Sequence, residues 1–299
     1  VSRDLVGDLE DALRAHLLGL MPPDPSGQLA GMPLVSLLIR WCNWRDRFVP
    51  ARPRLVHLSA ELASDPPATT HAVALAAIRS EIETGQDLTL RLSTRVNTAF
   101  LPATTPTPLH LRADLDLLLA DWGIHHLHLS PTNDGARTAD LLFAVFRPDD
   151  AYLLQILPHG SWTDESLVAI IARNWPTARL LGGPLTGFSL TQPITPDERK
   201  RVRRGGVASL IEVDGKSYLP RGQTTAGTAI DATKRADVLM HELDRQRTLL
   251  AGDPGALDEQ VAAAGIPGGG PGDWRPYVGD DQLGFLDYRT GVLVQVGTL

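Results

Sequence analysis

Between residues 124 and 157 the sequence carries three short apolar runs, 124–129, 141–146 and 152–157, joined by the turn-rich connections SPTNDGARTAD and RPDD. Runs of this length bounded by Pro, Asn, Asp and Gly read as strands, and connections of this kind fold them into an antiparallel meander. A leucine-rich helix over 114–120 precedes the meander. The segment 163-TDESLVAIIARNWP-176, with Thr163 as cap, an acidic first turn and a terminal proline, follows it as a second helix. The fold class expected is α+β, an antiparallel meander flanked by helices. Three segments are expected along the chain: a helical N-terminal region over 1–65, an α+β core over 66–185 and a loop-rich C-terminal region over 186–299.

The flanking segments follow the same signals. Leu5, Leu9, Leu13, Leu17 and Leu20 recur at helical spacing, with Ser2 as a cap and 22-PPDPSG-27 as a stop. The stretch 47-RFVPARPRLVHLSAEL-62 reads as extended before a short helix capped by Ser59, and Thr69 or Thr70 starts a helix that ends at Gly85. Asp214-Gly215 predicts a type I′ hairpin within 207–220. A helix over 231–250 and a terminal hairpin over 283–297 complete the pattern. The glycine-rich 265-GIPGGGPGDW-274 lacks a Walker pattern and reads as a loop.

Composition bounds the function. The net charge of −7 excludes a chain that binds nucleic acid non-specifically over its whole surface; 198-ERKRVRRGG-206 is the clearest candidate for a local basic site. The single cysteine, Cys42, excludes an intrachain disulfide and a multi-cysteine zinc site. No apolar run approaches the ~20 residues of a membrane span, and VSRDLVGDLEDAL has the charge of an amphipathic helix. A cytoplasmic protein with no membrane partner is expected.

The residues with chemistry cluster in the core segment. In 123-GIHHLHLSP-131, strand alternation puts Ile124, His126 and His128 on one face and His125, Leu127 and Leu129 on the other. The third strand ends in 158-PHGSW-162, which sets His159 at the start of the following helix, where free N–H groups attract anions. Two imidazoles can take a proton from a ribose 2′-hydroxyl and return one to the leaving oxygen, and Arg137 can stabilise the phosphorane charge. His126 and His159 are therefore the expected acid and base, with His128 as an auxiliary group and Arg137 on the phosphate. Ser130, Ser161 and Trp162 are expected to bind the substrate, Trp162 by stacking on a base. The reaction expected is cleavage of RNA or a nucleotide-like phosphodiester with no cofactor and no metal.

The segments GIHHLHL, RTADLLFAVF and AYLLQILPHGSW, followed by a helix, resemble the last strands of RelE-like toxin ribonucleases over residues 115–175. The resemblance implies a small nuclease fold of the barnase-like class, with Arg137 and His159 in the charged and base-facing roles. A weaker resemblance links 56-VHLSA-60 and 127-LHLSP-131 to two-histidine phosphoesterases. It implies His57 and His128 as acid and base and Ser59 and Ser130 on phosphate oxygens. Two further readings stand beside these. His126 and His128 could ligate a metal with His159, Asp140 or Asp121, and the chain could be a non-enzymatic protein that docks a protein partner. The segment 221-RGQTTAGTA-229 either binds an anion or caps the helix after it.

Overall fold

Helix α1, Leu5–Leu20, buries Val6, Leu9, Leu13 and Leu17 along one stripe, and the Asp4 carboxylate accepts from the Gly7 N–H at its start. The expected cap, Ser2, lies outside the residues that this computed structural model describes, which are 4–97, 116–131, 138–161, 165–187, 194–195, 197–198, 201–202, 207, 209–224, 228–266 and 271–299. Helix α2, Leu34–Arg45, follows.

The chain divides into two compact units, Val1–Cys42 with Ala232–Leu299, and Asn43–Asp231. These do not coincide with the three segments 1–65, 66–185 and 186–299. The difference arises because the stretch around residue 55, grouped by its sequence with the N-terminal helices, pairs with a strand of the core.

In the unit Asn43–Asp231, strand β1, Leu55–Leu58, leads into helix α3, Ala60–Ser64, capped by Ser59 as the sequence predicts. The short helix α4, Pro66–Thr70, precedes helix α5, Ala72–Thr84, whose cap is His71 and not a threonine. Gly85 closes α5 in the left-handed conformation at φ 75°. Helix α6, Leu117–Trp122, is followed by β2, His125–His128; β3, Asp140–Phe146; β4, Asp150–Pro158; and helix α7, Ser166–Asn174. Thr163 lies outside the described residues; the residue before α7 is Glu165, whose side chain makes no cap bond. The hairpin β5, Ile211–Val213, and β6, Lys216–Tyr218, turns at Asp214 and Gly215, both at positive φ, as a type I′ turn requires.

The four strands are ordered β1-β4-β3-β2, so β2, β3 and β4 form the expected antiparallel meander, while β1 adds in parallel to β4. One face, with Ile124, Leu141, Phe143, Val145, Tyr152 and Leu154, packs with α7 and the β5–β6 hairpin in a single apolar cluster. The other, with Leu127, Leu142, Ala144, Leu153 and Ile156, packs with Ile78 and Ile82 of α5. Phe143 is fully buried, and its truncation to alanine would cost about 3–5 kcal/mol.

In the other unit, helix α8, Ile230–Gly252, turns Leu239 and Leu243 inward. Helix α9, Ala256–Ala263, precedes a sheet of β7, Trp274–Val278; β8, Gln282–Asp287; and β9, Leu293–Thr298. Asp258 holds this start together by accepting from the Trp274 indole and the Gly272 N–H, each at 2.9 Å. Among the described residues no helix is long and apolar enough to cross a membrane.

Candidate functional site

The C-terminal ends of β2 and β4 and the N-terminal end of β3 lie side by side, because His128 pairs with Leu141 and Asp140 with Pro158. His126 and His128 point to the α7 face with Ile124, as alternation predicts, and His125 points to the other. The three histidines then part company by environment. His128, expected as an auxiliary group, is 2% exposed. His125 sets its ring edge against Phe146 at 5.4 Å between centroids, and desolvation pushes its pKa down to about 4.

His126 is half-buried. Burial lowers its pKa, the Asp116 carboxylate opposes that shift, and the charges of His159 and Arg47 add to it. Asp116 is placed by its own helix: one oxygen accepts from the Leu119 N–H at 3.0 Å as the α6 cap, and the other lies 3.9 Å from His126 Nδ1. His159 follows β4, exposed, with its N–H donated to the Ala139 carbonyl at 2.7 Å. The two imidazoles thus sit within electrostatic reach of each other, one half-buried and one open to solvent. Ser161 is half-buried in the turn after His159, its N–H on the Pro158 carbonyl at 3.2 Å. Arg137 and Trp162 lie outside the described residues, as does most of the basic stretch 198–206.

On the α5 face, an open groove of about 360 Å³ is lined by Thr70, His71, Arg91, Leu129 and Ser130 among others. His71 Nε2 is 3.0 Å from Asp140 Oδ2. Arg91 is buried, gripping both oxygens of Glu81 and donating to the Leu129 carbonyl. Sequence reasoning missed the His71–Asp140 pair. The only local signal is a histidine at a helix start, and its partner lies on a different element.

The two-histidine arrangement does not form. β1 and β2 are the opposite edges of the four-stranded sheet, which puts His57 and His128 three strand spacings apart, roughly 14 Å. His57 instead pairs with Asp150 at 2.7 Å and stacks on Tyr152 at 4.8 Å between centroids. Ser59 is fully buried, donating to the Leu154 carbonyl and accepting from the Leu62 N–H. Ser59 is a helix cap and offers nothing to a phosphate.

The metal set is also dispersed. Asp140 turns to His71, and Asp121 is buried and accepts from Gln223 at 3.0 Å. Among the described residues no group of three His, Cys, Asp or Glu side chains is arranged to hold an ion. No family model, curated protein or solved structure matches the chain.

Proposed function

We propose that the chain cleaves phosphodiester bonds, with RNA as the substrate class, using His126 and His159 as the acid–base pair. One observation carries this reading. His126 is held toward its neutral form beside an anchored carboxylate, and the exposed His159 lies near enough for its charge to act on it. A neutral imidazole is a proton acceptor, and an exposed one exchanges protons with solvent between turnovers. His126 takes the proton of a ribose 2′-hydroxyl as its oxygen attacks the neighbouring phosphorus. The bond to the 5′-oxygen breaks, and His159 delivers the proton that this oxygen needs. The products are a 2′,3′-cyclic phosphate and a free 5′-hydroxyl.

A second reading has the groove in its favour. There the acid–base group is His71, oriented by Asp140, with Ser130 on the wall. Cleavage of a labelled RNA in EDTA by the His126→Ala, His159→Ala and His71→Ala variants separates the two. Losses of about 10²–10⁴-fold for the first two, with His71→Ala near the wild type, are expected. A loss confined to His71→Ala moves the centre to the groove, and full activity in all three variants removes both readings.

A further inference from the structure

Strand β1 is an edge of the four-stranded sheet, parallel to β4. Its odd-numbered residues bond inward: the Leu55 N–H is donated to the Asp149 carbonyl at 2.8 Å and the Ser59 N–H to the Leu153 carbonyl at 3.0 Å. The alternate residues therefore turn their N–H and C=O groups away from the sheet. At the two ends of this outer row the chain supplies partners itself. The Arg54 N–H is donated to the Ile82 carbonyl at 3.2 Å, and the Ala60 N–H to Asn174 Oδ1 at 2.9 Å. Asn174 is fixed for this by its own bonds to Glu61 and to the Ile170 carbonyl. Val56 and Leu58 lie between, and among the described residues neither N–H has a partner.

The side chains of β1 do not guard this row. Val56 and Leu58 pack onto the apolar cluster of the α5 face, and His57 is held on the other face by Asp150 at 2.7 Å and by stacking on Tyr152. Leu55, next to the open pair, is apolar and 65% exposed. No lysine, proline or bulge, the devices that keep an edge from pairing, interrupts Leu55–Leu58. The edge is thus a strand template two residues long with both of its ends closed.

The open row is complementary to itself. Opposed residues of an antiparallel pair exchange both N–H···O bonds at every second position, and Val56 and Leu58 stand at that spacing. We propose that β1 pairs with the β1 of a second copy, antiparallel about a two-fold axis at His57, joining the two four-stranded sheets into one. Val56 of each copy then faces Leu58 of the other, and every open group is bonded. Sliding the register to either side sets Leu58 against Arg54 or Val56 against Ala60, whose N–H groups are already taken. The charges agree with this direction: the end of one strand that follows Arg52 meets the end of the other that leads to Glu61. A two-fold contact closes with one partner. β2 is the opposite edge of the sheet, so the pairing does not depend on the cleavage reading at His126.

A contact this short is weak, so it is followed by concentration. Sedimentation of the full chain from roughly 5 µM to 500 µM should show the mass rise from one chain toward two. In the wild type, hydrogen exchange at the Val56 and Leu58 amides should slow about fivefold at the high concentration, while the Leu55 amide, already bonded to β4, changes little. Val56→Pro removes an N–H that has no partner within the chain and should abolish the dimer. Leu55→Lys, at a side chain already turned to solvent, keeps the fold and should weaken the dimer about tenfold. Three results overturn the pairing. One is a single-chain mass at every concentration, which leaves the edge to a strand of some other protein. The second is a dimer in which the Val56 and Leu58 amides exchange as fast as before, which marks a contact elsewhere. The third is a dimer that both variants leave intact.

Discussion

Asp116 and His126 are tied across the corner between α6 and β2: the carboxylate that caps the helix at Leu119 also stands 3.9 Å from the imidazole Nδ1. Helix capping therefore fixes the position of the charge that opposes burial in setting the protonation of His126. Asn at position 116 keeps an oxygen for the cap and removes that charge.

Asp116→Asn should consequently lower the His126 pKa further, because the one effect that raises it is gone. A histidine-selective NMR titration reads this directly. If His126 is the base, the acid limb of the cleavage pH profile moves in the same direction. An unchanged or raised His126 pKa would show that the carboxylate does not act on the ring.

His125 supplies a separate pH dependence, this one of stability. Its pKa falls from 6.5 to about 4 on folding, so the unfolded chain binds a proton that the folded chain refuses. Stability is full above the unfolded value, is lost as the pH falls through the window between the two, and levels off below about 4. The loss is of the order of 3 kcal/mol at most. Urea unfolding near pH 7 and near pH 4.5 should show a smaller acid loss for His125→Phe than for the wild type. Equal losses would mean that the ring is not held neutral against Phe146.

The parts of this arrangement that were legible in the sequence are those governed by a short period. Alternation separated His125 from His126 and His128 correctly, because side chains change face at every strand residue. The same rule says nothing about what covers a face, and so it could not foresee that His128 is buried while His126 keeps access to solvent. The parallel pairing of β1 with β4 links residues far apart in the chain across a proline-rich approach, and no local pattern encodes it. Strand β7 has no clear signal in the sequence for a related reason: Pro276 sits in its middle, a place that argues against a central strand, and β7 is an edge. The His71–Asp140 pair likewise exists only once separate elements have been brought together.

Ser59 distinguishes a structural serine from a functional one. Its hydroxyl is fully buried between the Leu154 carbonyl and the Leu62 N–H, so Ser59→Ala leaves two buried partners unsatisfied. A loss of about 1–3 kcal/mol in unfolding free energy is expected, with the folded variant cleaving at the wild-type rate and His57→Ala doing the same. A selective loss of turnover in either, without a loss of stability, would restore the phosphoesterase pair.

Two helix-ending glycines should differ in how badly they tolerate alanine. Gly85 and Gly123 share the left-handed conformation, at φ 75° and 66°, and each pays about 1 kcal/mol or more for a Cβ on that ground alone. Their surroundings differ. At Gly85 the added carbon would meet the backbone of Arg52 and Pro53 at 2.5–2.6 Å, in the segment that leads into β1. At Gly123 it would meet the tip of the Arg221 side chain at 2.8 Å, which can swing away. Gly85→Ala is therefore expected to cost more, about 2 kcal/mol or above, and to loosen the start of β1 in hydrogen exchange. Gly123→Ala should cost less in unfolding free energy and displace the Arg221 side chain. The reverse order of stability losses would show that the approach of 52–53 to the end of α5 is not a close one.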